Sequence, residues 1–164
     1  MPENNVAYPL IFTFGESVGA PRFLAGVSGS GRALMVHEGD GSWWLYGVEP
    51  GGIAGSGNSP QEAHLKFVEA LKGVLLDIAA DMPSFQAFEE QVQKFFKESD
   101  RKEEARWREA LEAIRSGALR PEAPFSGLPR QSAESGRYVV LQEIEPKVLP
   151  PVESRNAFAL PTAA

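Results

Sequence analysis

From Val6 to Val48 the apolar residues come in short runs separated by glycine-rich breaks, the rhythm of strands rather than helices. The pattern predicts four strands, Val6–Phe14, Arg22–Val27, Arg32–Glu38 and Ser42–Val48. Ser28-Gly29-Ser30-Gly31 and Gly39-Asp40-Gly41 lie between the later ones and are rich in residues that accept positive φ in hairpin turns, so neighbouring strands are expected to be antiparallel. Period-two alternation in the fourth strand puts Trp44, Tyr46 and Val48 on one face and Trp43, Leu45 and Gly47 on the other. Residues 49–58 are too glycine-rich for a regular element, apart from a short edge at Ile53.

The period then changes. Ser59-Pro60-Gln61-Glu62 combines an N-cap serine, a proline at the first helical position and a glutamate placed for a capping box. Ala63, Phe67, Ala70, Leu71, Val74 and Ile78 follow at three- and four-residue intervals, a stripe that would lie on the sheet with Leu71 and Val74 as core anchors. Burying such a stripe stabilises by roughly 1.5–3 kcal/mol per large side chain. Pro83 ends this helix, and Ser84 caps a second one running to about Glu98 with Phe85, Phe88, Val92, Phe95 and Phe96 on its apolar side. A third opens at Ser99 or Asp100, carries Trp107, Ala110, Leu111 and Ile114, and stops at Gly117. The last two read as an antiparallel helical hairpin whose stripes need the sheet, a second copy or a partner to cover them.

The predicted class is therefore α+β: a small antiparallel β-β-β-β-α unit over residues 1–82, a helical hairpin over 83–117, a proline-rich connector over 118–136, a late strand over 137–145 and an extended or disordered tail over 146–164. With 164 residues and 43% hydrophobic composition, one core should dominate and fold without metal or disulfide. Cysteine is absent, which excludes thiolate nucleophiles and cysteine-based metal sites. The first residues lack a secretory signal, and no apolar run approaches the roughly 20 residues of a membrane span, so a cytoplasmic protein is expected. Net charge is −6, and the basic residues between Lys94 and Arg108 are cancelled by interleaved acids, so direct nucleic-acid binding is not expected.

Candidate chemistry is sparse. The glycines of Gly51–Gly57 precede a helix, as in phosphate loops, but no Lys-Ser/Thr follows them and Pro60 removes a donor. His37 and His64 stand at no ligand spacing, and no cofactor is implied. Glu38, Asp40, Glu62 and Asp77 would serve hydrolysis only if the fold gathered them round a metal ion. Trp43, Trp44 and Tyr46 lack the basic funnel of a base-stacking surface, so core packing on one face and partner contact on the other is the better reading.

Trp44-Leu45-Tyr46-Gly47-Val48-Glu49-Pro50-Gly51-Gly52, then Gly57-Asn58-Ser59-Pro60-Gln61-Glu62-Ala63, then Phe67-Val68-Glu69-Ala70-Leu71 form an ordered series. Over Arg32–Ala79, less than a third of the chain, it resembles the HicB-like antitoxin domain. The resemblance implies a truncated RNase H-like fold without catalysis that binds and blocks a small basic toxin and commonly forms dimers. Many such proteins add a DNA-binding unit; here residues 84–116 carry no basic recognition helix and prolines follow the late strand. The leading expectation is a non-enzymatic protein-binding module that pairs with itself as a homodimer or with a small basic toxin, with contacts through Trp43, Trp44, Tyr46, Phe95, Trp107 and Tyr138. One alternative is a metal-dependent nuclease using Glu38, Asp40 and Asp77. Another is a self-assembling structural protein joined through its C-terminal strand and tail.

Overall fold

The computed structural model describes residues 5–131, 138–145 and 157–161. Two 14-residue strands, β1 (Val6–Gly19) and β2 (Leu24–His37), pair antiparallel along their whole length. Their turn is Ala20-Pro21-Arg22-Phe23, closed by the Ala20 N–H donating to the Phe23 carbonyl at 2.9 Å. Ser28–Gly31, expected as a turn, instead lies within β2. Phe12 and Phe14 of β1 explain the correction, because their rings lie over Gly31 and Gly29. A Cβ would meet the Phe12 ring at 2.7 Å and the Phe14 ring at 3.1 Å. These glycines make room for aromatic neighbours inside a strand, a use that looks the same in sequence as a turn.

β3 (Trp43–Glu49) and β4 (Gly51–Gly57) extend the antiparallel meander. The segment read as too glycine-rich for regular structure is thus an edge strand. Helix α1 (Pro60–Asp81) lies directly on it, and a Cβ at Gly55 would collide with the backbone of Ala63, Lys66 and Phe67. The Ser59 hydroxyl caps α1 by accepting from the Glu62 N–H at 3.1 Å. Its buried stripe is Ala63, Phe67, Leu71, Leu75 and Ala79, a strict four-residue repeat. Leu75 therefore takes the place expected of Val74, which is only half-buried.

Helices α2 (Phe85–Lys97) and α3 (Arg101–Arg115) are both present, capped by Ser84 and Asp100. They do not bury their stripes against each other. Phe88, Val92 and Phe96 of α2 join α1 and the face formed by Leu10, Phe12, Phe14, Val27, Met35 and Leu45. Trp107, Ala110 and Leu111 of α3 pack on the opposite face, against Ile11, Leu34, Val36 and Val48. The connector crosses the edge of the sheet: Glu98 accepts from the Gly51 N–H and the Asp100 N–H donates to Val48, each at 2.9 Å.

A 3-10 turn at Phe125–Gly127 brings Phe125 onto Tyr8, with ring centroids 4.4 Å apart. β6 (Tyr138–Glu143) pairs antiparallel with the first half of β2, so β3 and β6 stand end to end along one side of that strand. Part of the expected tail is also ordered into the sheet. β7 (Ala157–Pro161) pairs with β1, and β5 (Arg130–Gln131) runs parallel beside it. The fold is α+β, and among the described residues it holds six antiparallel strands, the short parallel β5 and three α-helices. Residues 132–136 of the expected connector, residue 137 of the expected late strand, and 146–156 and 162–164 of the tail lie outside the described residues. No described helix is long and apolar enough to cross a membrane.

Candidate partner-docking groove

The β2–β3 turn is held by its own side chains. Asp40 Oδ1 accepts from the Ser42 N–H at 2.9 Å and from its hydroxyl at 2.6 Å, while Gly41 takes the positive φ of 89° that the turn requires. The Ser42 hydroxyl, then its backbone N–H, hold the Asp40 carboxyl below the usual carboxylate range, so it is ionised at neutral pH. From this turn β3 sends Trp44 and Tyr46 to the α3 face, as the alternation predicts. Their rings are 5.6 Å apart and within 8° of parallel. The Tyr46 hydroxyl reaches Glu38 Oε1 at 3.4 Å, and burial together with the Glu38 charge raises the phenol above its ordinary pKa. On the other side Arg106 places its guanidinium 5.7 Å from the Tyr46 ring centre and pairs with Glu103 at 3.2 Å.

Glu38, Gly39, Asp40, Ser42, Trp44 and Tyr46 thus line an open groove of about 320 Å³. It offers two aromatic surfaces and two carboxylates beyond the Arg106–Glu103 pair. Such an arrangement attracts a guanidinium or ammonium group through ring quadrupole and charge together, and Arg106 on Tyr46 is an example within the chain.

The other expected contact residues are dispersed. Trp43, on the opposite face of β3, lies flat on His37 with centroids 4.0 Å apart and tilts against Phe125 at 5.9 Å. Phe95 is half-buried, edge-on to Phe96. Tyr138 is 52% exposed on β6. Trp107 is 2% exposed, and its indole N–H donates to the Leu10 carbonyl at 3.3 Å; it supports the fold from inside and offers no surface to a partner.

Trp107 also reveals a residue that sequence reasoning missed. Arg32, buried within β2, pairs with Glu49 at 2.8 Å and Glu104 at 3.0 Å, and its guanidinium lies 5.1 Å from the Trp107 ring centre. The hydrogen bond from Arg32 lowers the Glu104 pKa. A single arginine in a strand carries no spacing pattern, so nothing in the sequence marks it. A second opening, of about 280 Å³, lies where β2 passes from β3 to β6, between Ser30, Glu49, Gln93, Phe96, Lys97, Tyr138 and Val139.

The acids of the nuclease alternative are not brought together. Glu38 and Asp40 flank the β2–β3 turn, whereas Asp77 is exposed on α1, which packs on the other face. Among the described residues no three histidine, aspartate or glutamate side chains are placed to hold a metal ion. His64 packs on Phe158 with ring centroids 4.0 Å apart. Compared with protein-family models, with curated proteins and with solved structures, the chain has no match.

Proposed function

We propose that this chain is a non-enzymatic protein-binding module of HicB-like type, which receives a basic segment of a protein partner in the groove beside Trp44 and Tyr46. The observation that carries the reading is the parallel aromatic pair flanked by the ionised Asp40 and by Glu38, open to solvent at a turn. A net charge of −6 favours encounter with a basic partner, and the small basic toxin implied by the sequence resemblance has that chemistry. The Ser42 hydroxyl in the groove is tied to Asp40 as part of the turn, and we read the chemistry of the groove as recognition.

The test uses the full chain and an arginine-rich peptide, followed by calorimetry at two salt concentrations, alongside capture from the source cells. The wild type is expected to bind the peptide more weakly as salt rises and to retain a small basic protein. Trp44→Ala should weaken binding about tenfold or more, as expected for an aromatic anchor, and Asp40→Asn should reduce the salt dependence. Equal binding by wild type and Trp44→Ala would overturn the assignment.

A further inference from the structure

Strand β6 has one side committed and one side open. The Ile144 N–H donates to the Leu24 carbonyl at 2.7 Å, in line with the register that pairs Gly26 with Gln142 and Ser28 with Val140. Antiparallel pairing alternates the direction of successive backbone groups. The even-numbered residues of β6 therefore turn their N–H and C=O toward β2, and Val139, Leu141 and Glu143 turn theirs outward. Among the described residues no strand pairs with that outer side.

Among the described residues, the sequence devices that usually protect an edge are missing from β6. Tyr138-Val139-Val140-Leu141-Gln142-Glu143 holds no proline, no lysine and no bulge, and it bears charge only at its last position. The edge strand β4, on the same side of β2, is glycine-rich and lies under α1. Tyr138 and Val140, 52% and 55% exposed, sit side by side on the sheet face that α3 leaves uncovered among the described residues.

We infer that this edge pairs with the same edge of a second copy, giving a two-fold dimer centred on Val140. Backbone parity admits only registers in which odd-numbered residues meet odd-numbered ones, and of the two that overlap most of the strand, one would set Val139 against Glu143 while the other sets Val139 against Leu141. The second keeps apolar residues opposed, so Val140 falls opposite Val140 and Tyr138 opposite Gln142. This arrangement is self-complementary, as an isologous contact must be. The paired strands join the two sheets into one and leave both Trp44–Tyr46 grooves clear, since these lie along β3 on the other half of β2. The inference is independent of the proposed groove.

Because the chain has no cysteine, the register is directly testable. Directly opposed residues without mutual hydrogen bonds have Cα atoms about 4.5 Å apart, within disulfide reach. Val140→Cys in the full chain should form a disulfide-linked dimer under mild oxidation, and Gln142→Cys should not. Light scattering on the wild type should give twice the 17.8 kDa chain mass, and Val140→Lys, which opposes like charges at an exposed position, should return it to the single mass. A wild type of single mass at 100-micromolar order of concentration (~100 µM, ample for an edge-paired dimer) overturns the inference. So does a dimer that survives Val140→Lys and does not cross-link through position 140, because its interface is then elsewhere.

Discussion

Arg32 is buried and His64 half-buried, and their environments lead to opposite kinds of test. Arg32 is 2% exposed, while its partners Glu49 and Glu104 keep 17% and 24% of their side-chain surface. Arg32→Ala leaves the two acids able to rehydrate, so the cost should fall at the lower end of that for a broken buried pair, about 3 kcal/mol in urea unfolding. Burial lowers the His64 pKa from its ordinary 6.5. The folded protein therefore favours the neutral ring: this contribution is fully present above pH 6.5 and is lost as pH falls through the lowered folded value. Wild-type stability should decline between pH 7.5 and 5.5 more than that of His64→Gln (a window set about the histidine range), and identical pH profiles would reject the assignment. At this scale the sequence is informative where alternation applies. The faces of Trp43, Trp44 and Tyr46 follow from period two, but the burial of Trp107 does not, because an apolar stripe on a helix does not reveal what covers it.

At the scale of elements, glycine is the test case. Gly55 lies under the α1 backbone, whereas a Cβ at Gly73 within α1 meets nothing within 4 Å. Gly55→Ala should therefore destabilise by about 1–3 kcal/mol through overpacking. Gly73→Ala should stabilise by about 0.5–1 kcal/mol through helix propensity, and thermal or urea unfolding of both variants checks the contrast. The three helix starts were legible because Ser59, Ser84 and Asp100 cap locally. The interior of β2 was not, nor was β4 beyond the short edge expected at Ile53. Whether a glycine run turns or stays extended depends on Phe12, Phe14 and α1, which approach it from other parts of the chain.

At the scale of the whole molecule, the partner and register of strands paired over long separations escaped the sequence. β6 returns to β2 and β7 to β1 across more than a hundred residues, with no local signal for register. The α+β class and the order of strands and helices were legible because they follow from changes of period. The placement of α2 and α3 was not, since a short connector suits neighbours on one face as well as a passage round an edge. That passage sets a lower limit on any excised fragment. A piece ending after α1 would leave Ile11, Leu34, Val36 and Val48 wet on one side of the sheet, so the stretch carrying the family likeness has to be expressed together with the helix beyond it to stay dispersed in water.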